Sequence, residues 1–369
     1  MLILRWTLKL FIASGYHPPL ASNCPKKRFL YNIYMVVVIS FIWTFVATLI
    51  FDAIYNVGNQ NDLCENIGVT ITTFITSLKM LNLAVKRKTI ESLLNILEHG
   101  PFMPVDAKDK KIFTKFEKQV EKLTILYTVQ IMSYVACTLV VTAINFKYQK
   151  LPHRVWLPFD CTSSWLLYSL IVLHQIISIT VTCIAIIVSD TLFAGLLLHI
   201  CCQFELLEHR LKNIEGDKIG KLKRCARHHK LIYSYSKKVN DLFSAIMCLQ
   251  FVASASGMCF NLYRMTQVKV GSQTIDALIY ILCGLVQSFF FCWHGDIAKS
   301  KSLEIPNIIF HSNWPVMSKD AKRILLIIMT RSLIPVQITS AYVLPMDLES
   351  FKGLIKAIYS AYNMLQQTK

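Results

Sequence analysis

The stretch WLLYSLIVLHQIISITVTCIAIIVSDTLFAGLLLHICCQFELLEHRL, residues 165–211, has a helical and largely apolar pattern over its whole length. At about 1.5 Å of rise per residue, such a helix is roughly 70 Å long, more than twice the hydrocarbon thickness of a bilayer. Only Asp190 and Gly195 interrupt the pattern, so a hairpin of two spans would lack a turn. We therefore expect one helix that crosses a membrane and projects beyond it. Its projecting part carries apolar residues that need a packing partner, namely Leu192, Phe193, Leu196, Leu197 and Phe204.

The composition is typical of a membrane protein. Of 369 residues, 54% are hydrophobic and only 17% are charged, which is rare for a soluble domain of this length. We expect an all-α membrane protein whose surroundings are the lipid bilayer. Lys and Arg outnumber Asp and Glu by 39 to 22, but the basic residues cluster in alternate loops. That clustering indicates membrane topology and excludes nucleic acid as a partner.

Six segments are apolar and long enough to be spans, at residues 29–51, 63–85, 124–146, from 165 onward, 242–264 and 273–293. The C-terminal helix makes seven transmembrane helices. Lys and Arg number 5 before the first span, 9 between the second and third, 10 between the fourth and fifth, and 6 before the last. The loops on the other side hold none, 3 and 2. The positive-inside rule then predicts a cytoplasmic N-terminus and an extracellular C-terminus.

Several segments are expected at the cytosolic surface. Residues 1–28 form a cytoplasmic segment with an amphipathic helix at the inner membrane surface. Residues 321–344, AKRILLIIMTRSLIPVQITSAYVL, have the hydropathy of an eighth span, but Arg331 and Pro335 make a poor lipid-facing helix. We expect this segment to be a buried helix of a cytosolic anchor that joins subunits. His228 and His229 are expected to be ordinary surface residues, and Lys79 to snorkel to the inner membrane surface.

The last residues, PMDLESFKGLIKAIYSAYNMLQQTK at 345–369, form an amphipathic helix of membrane length. Its apolar side includes Phe351, Leu354 and Ile358. A membrane-length helix with one wet face indicates a pore wall, although a helix lying on the membrane surface has the same pattern. The polar residues recur at steps of three and four and form one stripe, consisting of Lys352, Lys356, Ser360, Asn363 and Gln367.

No arrangement of residues indicates an enzyme. The twelve Cys residues include no CxxC pair and no zinc-like spacing with His, and no nucleophile–base constellation is present. We therefore expect no catalytic residue, no metal and no cofactor. Cys64 and Cys161 fall near two outer loops, and whether they pair is left open.

Two C-terminal runs carry a family resemblance. WHGDIAKSKSLEIPNIIFHSNWP from Trp293, followed by LPMDLESFKGLIKAIYSAYNMLQQTK from Leu344, resembles the C-terminal signature of insect odorant receptors. LKLFIASGYHPP near the N-terminus and LPHRVWLPFD before the fourth span are also similar to that family. The resemblance covers nearly the whole chain and is strongest in its last third.

This resemblance implies an architecture and a function. Seven spans with the N-terminus inside would form one subunit of a tetramer held together by the cytosolic anchor. The domains would be 1–28, a cytoplasmic segment; 29–293, spans one to six with the ligand pocket and the cytosolic helix extensions; 294–344, the anchor; and 345–369, the pore helix. A small volatile would bind in the outer half of the membrane and open a non-selective cation channel. The partner would be an odorant co-receptor subunit in a hetero-tetramer, in the plasma membrane of an olfactory sensory neuron dendrite. The chain is too short to be the co-receptor itself.

The resemblance also implies pore residues. Met364 falls where the family has a hydrophobic gate, Gln367 where it has a polar ring, and Ser360 and Asn363 share their stripe. For the ligand pocket, direction and spacing predict residues of spans two, three, four and six, although the same spacing is typical of plain helix packing. The predicted pocket residues are Thr70, Thr73, Phe74, Tyr134, Cys137, Thr138, Val141, Tyr168, Val172 and Tyr280.

Two other classes of membrane protein remain open from the sequence. A metabotropic receptor would need an extracellular N-terminus, which the loop charges oppose. A transporter would carry inverted repeats and paired intramembrane charges, and the sequence pattern offers neither.

Overall fold

The computed structural model describes residues 4–14, 25–55, 60–214, 218–267 and 272–367, and it is helical almost throughout. Within these residues the β-structure is one antiparallel pair of two-residue strands, β1 (Thr339–Ser340) and β2 (Leu344–Pro345). The helices in chain order are α1 (Arg5–Ala13), α2 (Pro25–Tyr55), α3 (Gln60–Val85), α4 (Arg87–Leu97), α5 (Ala107–Asn145), α6 (Trp165–Lys212), α7 (Ile219–Gln267), α8 (Ser272–Phe310), α9 (Lys319–Ser332) and α10 (Leu348–Gln367).

Six of these helices, counted over the described residues, are long and apolar enough to cross a membrane: α2, α3, α5, α6, α7 and α8. Each matches one of the six apolar segments predicted from hydropathy, with α5 ending one residue before the predicted limit, which confirms those positions. The helix α10 is not among the six, because its polar stripe lowers its mean hydropathy. It packs against α7 and α8.

The long helix predicted from Trp165 is confirmed. The helix α6 runs for 48 residues without a break, or about 72 Å at the usual rise per residue. Every residue from Ala185 to Phe204 is buried, because α1, α3, α5, α7 and α8 surround this part of α6. The projecting apolar residues therefore find their packing partners within the same chain.

The parts of α5, α6, α7 and α8 that extend past the predicted spans pack with α1, α4 and α9 into a second bundle, here named the basal bundle. The helix α1 packs against α6 and does not only lie along a surface. A Cβ built on Gly195 of α6 would be 2.2 Å from Leu4 Cδ2, and Phe11 is fully buried. The helix predicted near the N-terminus therefore forms, and one of its sides packs on α6.

The prediction that His228 and His229 lie on the surface is wrong, since both are buried on α7. His228 Nε2 hydrogen-bonds to Gln203 Oε1 of α6 at 2.9 Å, and His229 Nε2 lies 3.0 Å from Ser332 Oγ of α9. The basic residues around them occupy the other face of α7, so net charge alone did not reveal which face is buried.

The prediction of one helix over 321–344 is only half right. The helix α9 ends at Ser332, because Pro335 follows and disfavours helical geometry in the residue before it. The chain then turns into the β1–β2 hairpin, where Ala341 and Tyr342 have φ of 49° and 59°. The hairpin docks on α7 through a hydrogen bond from Ala341 N to Ser244 O at 2.9 Å.

An ion pair ties α5 to α6 in the basal bundle. Asp109 is fully buried, and Arg210 donates to its Oδ2 from Nη2 at 2.8 Å and from Nε at 3.0 Å. Arg210 also donates to the carbonyls of Pro101 and Met103 at 2.6 and 2.8 Å. One guanidinium therefore joins α6, the start of α5 and the turn that precedes it.

We expect Arg210→Met to lower the free energy of unfolding by about 3–5 kcal/mol, because it removes the guanidinium from a buried carboxylate. The matched control is Lys212→Met, since Lys212 pairs with Glu208 at 2.7 Å but its side chain is 58% exposed. That change should cost less than about 1 kcal/mol. The loss of stability in both variants is measured by thermal denaturation of the detergent-solubilised protein, with gel filtration to detect the folded fraction. Equal decreases in melting temperature for the two variants would contradict the prediction.

Candidate ligand cavity and pore helix

A cavity of about 110 Å³, here named the inner cavity, lies among α3, α5, α6, α7 and α8. Its walls are mostly apolar, with Ile131, Ile179 and Met258 among the lining residues. Within the described part of the chain, no Asp, Glu, Lys, Arg or His side chain lines it. The inner cavity therefore suits a small neutral molecule and offers no ionic partner. Its polar lining residues include Thr73, Thr182, Gln250, Ser254, Tyr280 and Gln287.

Tyr280 of α8 lies between two glycines that allow close helix approach. A Cβ on Gly257 of α7 would be 2.3 Å from Tyr280 Oη, and one on Gly68 of α3 would be 3.4 Å from Tyr280 Cζ. Tyr280 Oη lies 2.7 Å from Thr72 Oγ1 and donates to Gly68 O at 3.1 Å. The phenol ring is thus fixed at one end of the inner cavity.

A second cavity of about 390 Å³, here named the outer cavity, shares Val69, Tyr134 and Tyr280 with the inner cavity. The connection between α5 and α6 forms much of its wall. Its lining is polar and basic and includes Lys150, Arg154 and Arg264. The two cavities follow one another, with the aromatic rings of Tyr134 and Tyr280 between them.

The structure brings half of the predicted pocket residues to a cavity wall. Thr73, Tyr134 and Tyr280 line the inner cavity. Tyr134 and Tyr280 also line the outer cavity, together with Thr138 and Val141.

The other five predicted pocket residues lie elsewhere. Thr70 hydrogen-bonds to Asn66 O within α3 at 2.9 Å, and Phe74 packs edge-on against Trp43 of α2. Cys137 is exposed. Tyr168 is buried and donates to Lys150 O at 3.0 Å, and Val172 is buried outside both cavity linings.

Two glutamines that the spacing argument missed are Gln250 on α7 and Gln287 on α8, which both line the inner cavity. A polar side chain inside an apolar span is the signal that could have found them, because such groups need partners in a membrane. Gln250 Nε2 donates to Gln287 Oε1 and to Ser254 Oγ, both at 2.9 Å.

The glutamines lead to a buried ion pair. The expectation that Lys79 snorkels to the membrane surface is wrong. It is 1% exposed and donates to Asp190 Oδ1 of α6 at 2.8 Å. Asp190 also accepts from Tyr127 Oη at 2.8 Å and from Gln287 Nε2, and the Ser189 hydroxyl lies 2.9 Å from its Oδ1. A charge network therefore adjoins a cavity whose own wall is uncharged.

The helix α10 is held firmly at its start. A Cβ on Gly295 of α8 would be 2.0 Å from Met346 O, so the two backbones touch there. Lys299 Nζ of α8 pairs with Asp347 Oδ2 at 3.0 Å, and Asp347 Oδ1 accepts from Ser350 N at 3.1 Å. The beginning of α10 is thus anchored to α8.

Farther along α10 the surface is open. Ser360 is exposed, Asn363 is half-buried and Met364 is 73% exposed. The side chain of Gln367 lies outside the described part of the structure. Ile358 on the opposite side is buried. One face of α10 is therefore available to line a passage or to meet another subunit.

Comparison with known proteins identifies the family. The sequence profile described as 7tm Odorant receptor matches residues 59–359, which is most of the chain. The chain belongs to the odorant receptor family. Among relatives of this receptor, odorant receptor 46a, isoform A, of Drosophila melanogaster is 23% identical over 351 residues, covering 90% of each chain. Odorant receptor Or2 of Anopheles gambiae is 22% identical over 324 residues, covering 84% of this receptor and 85% of that protein.

Solved structures share the fold of this receptor. The insect olfactory receptor OR5 from Machilis hrabei, in complex with eugenol, superposes with a TM-score of 0.89 at 16% identity. The match covers 100% of this receptor and 99% of that chain. The chain is therefore a multi-pass helical membrane receptor, and the relatives it matches are named as receptors and not as enzymes.

The carboxyl of Asp347 gives a pH-dependent prediction. Burial alone would raise the pKa of Asp347, but the Lys299 ammonium and the Ser350 N–H together hold it below its ordinary value. A lowered folded-state pKa contributes stability that is present above the unfolded value, about 4, and is lost as the pH falls through the folded value. We expect Asp347→Asn to destabilise the protein by about 1 kcal/mol at pH 7, with the difference shrinking below about pH 4.

Thermal denaturation of both proteins between pH 7 and pH 3 measures this effect. Glu349→Gln is the matched control, because the Glu349 side chain is 82% exposed and its contact with Lys352 is 3.6 Å. If the stability difference between Asp347→Asn and the wild-type protein stays constant across this pH range, the prediction is contradicted.

Proposed function

We propose that this receptor is a subunit of an odorant-gated, non-selective cation channel. A small volatile binds in the inner cavity, and α10 lines the pore. Gating follows when ligand binding changes the packing of the cavity helices that hold α10. The alternatives from the sequence, a metabotropic receptor and a transporter, gain no specific support from the geometry.

The observation that carries the proposal is the open polar face of α10. A helix of 20 residues is about 30 Å long, enough to cross the hydrocarbon core. It leaves Ser360 and Met364 exposed while Ile358 is buried against its own chain. Polar groups at membrane depth are stable where they line a water-filled passage. Counted with the six apolar spans, α10 is the seventh.

The inner cavity supports a volatile ligand by its size and neutrality. One water needs roughly 10–15 Å³ of such volume, so about 110 Å³ accommodates roughly 7–11 non-hydrogen atoms. Tyr134 and Tyr280 supply aromatic area, and Gln250, Gln287 and Thr73 supply hydrogen-bonding groups. The relative of the same fold from Machilis hrabei was solved in complex with eugenol, which supports a small organic ligand here.

The loop charges support an N-terminus inside and a C-terminus outside. In this arrangement residues 1–28 and the anchor 294–344 are cytosolic, residues 29–293 hold the first six spans, and 345–369 reach the outer surface. The basal bundle is then cytosolic, and we propose that it joins four subunits, including an odorant co-receptor, in the plasma membrane of olfactory neurons.

The test is whole-cell current from cells that express this chain with and without an insect co-receptor, during exposure to a panel of volatiles of 7–11 non-hydrogen atoms. We expect a ligand-dependent cation current that requires the co-receptor and persists when G-protein signalling is blocked. A response that disappears with the block would contradict the channel mechanism.

Two changes on α10 test the pore. Gln367→Ala should alter the relative permeability of cations, because it removes a polar ring from the proposed outer mouth. Met364→Ala should raise the ligand-independent current severalfold, because it widens the proposed gate. The control is Gln366→Ala, since the Gln366 amide donates to Tyr362 Oη at 2.8 Å and points about 100° away from Gln367 around the helix. Unchanged permeability in Gln367→Ala and unchanged basal current in Met364→Ala would count against α10 as the pore wall.

A further inference from the structure

The Asp190 carboxylate receives hydrogen bonds from three other helices. Lys79 donates to Oδ1, and Tyr127 and Gln287 donate to Oδ2. The Ser189 hydroxyl lies 2.9 Å from Oδ1 and 3.0 Å from Ile186 O, and its one hydrogen serves either of them. A carboxylate offers about four lone-pair positions and acts only as an acceptor when ionised. Lys79 at 2.8 Å supplies the balancing charge. Both oxygens of Asp190 are therefore paired, and its side chain is enclosed with 0% exposure.

This carboxylate fixes the direction of the hydrogen bonds that run to the inner cavity. Gln287 must turn its amide N–H toward Asp190, since an amide oxygen there would face a carboxylate oxygen. Gln287 Oε1 then points to Gln250 and accepts from Gln250 Nε2 at 2.9 Å. The second N–H of Gln250 goes to Ser254 Oγ at 2.9 Å. Both donors of Gln250 are thereby used.

The acceptor left for a ligand in this chain of hydrogen bonds is the carbonyl oxygen of Gln250. Gln250 lines the inner cavity, and among the residues that the structure describes no donor reaches its Oε1. A ligand that fills the cavity displaces water from this oxygen. Unless the ligand itself donates a hydrogen bond, a buried acceptor is left unpaired, which is costly.

Several other hydroxyls of the wall have used their hydrogens, whereas the Ser254 hydroxyl, which accepts from Gln250, and the second N–H of Gln287 can still donate. Thr73 Oγ1 donates to Val69 O at 2.7 Å, and Thr182 Oγ1 donates to Ser178 O at 2.8 Å. Tyr280 Oη donates to Gly68 O at 3.1 Å, which leaves the Thr72 hydroxyl to donate to Tyr280 at 2.7 Å. These oxygens present lone pairs to the cavity, so its polar wall is rich in acceptors.

We propose that the inner cavity selects neutral ligands that carry a hydroxyl group, alcohols and phenols, over carbonyl compounds of the same skeleton. Gln250 Oε1 accepts the ligand O–H, and the Lys79–Asp190 pair maintains this polarity through Gln287. The inference rests on the proposed function only in taking the inner cavity as the ligand site. Ammonium ligands are disfavoured, because no described carboxylate lines the inner cavity and Asp190 beside it is enclosed and already paired with Lys79.

The test uses matched probe pairs that fit the cavity: cyclohexanol with cyclohexanone, 1-hexanol with hexanal, and benzyl alcohol with benzaldehyde. Binding is measured as ligand-induced thermal stabilisation of the purified receptor–co-receptor complex. This readout does not depend on current, so failure of the channel mechanism leaves it intact. We expect each alcohol to stabilise the complex at about tenfold lower concentration than its carbonyl partner.

Variants assign the preference to the glutamine chain. Gln250→Met keeps the side-chain length but removes the acceptor. The alcohol and its carbonyl partner should then stabilise the complex at concentrations within about twofold of each other. Lys79→Met/Asp190→Asn should lower the concentration ratio as well, because an asparagine can donate or accept and no longer fixes Gln287. The control is Gln203→Met, a fully buried glutamine of the basal bundle outside both cavity linings, which should keep the wild-type ratio.

Equal or reversed affinities within the wild-type pairs would overturn the proposal, whether or not the variants fold. Stabilisation by none of the six probes would also overturn it, while currents evoked by other volatiles would leave the channel proposal standing. If Gln250→Met keeps the wild-type preference for alcohols, Gln250 is not the acceptor of the ligand O–H.

Discussion

An aspartate enclosed among membrane helices needs hydrogen-bond donors on every side, and Asp190 imposes this condition on the receptor. Donors reach it from α3, α5 and α8, so these three bonds form together only at one register of those helices relative to α6. Separating a buried charge from its partner costs several kcal/mol. The helices around the inner cavity are therefore held in a defined arrangement before any ligand arrives.

The two long elements near the cavity differ in how they are held. The helix α6 is buried on all sides between Ala185 and Phe204, so it forms a rigid connection from the cavity to the basal bundle. The helix α10 is fixed at its start by Gly295 and Asp347 and exposes most side chains beyond Ile358. Elements with few buried contacts respond most readily to small changes in their surroundings. Within one subunit, rearrangement at low cost is thus concentrated in α10.

Hydropathy was sufficient to predict the six apolar spans and the unbroken length of α6, because both depend on the summed composition of long segments. It failed where local geometry decides. Pro335 ends α9 within a segment that reads as one apolar helix, and the buried side of α7 at His228 lies within a strongly basic stretch. The cavity was only half predicted, because spacing was applied to one helix at a time. Gln250 and Gln287 meet across α7 and α8, and only the packed structure brings them together.

The continuity of α6 has a consequence for how such chains can diverge. Inserting or deleting one residue in a helix rotates everything beyond it by about 100°. Such a change near Gly195 would turn Gln203 and Arg210 away from their partners on α7 and α5 while Asp190 kept its own. Length variation among relatives should therefore collect in the connection between α5 and α6 and in the one that follows Lys212. Substitution, and not insertion or deletion, is then the route by which the interior of α6 evolves.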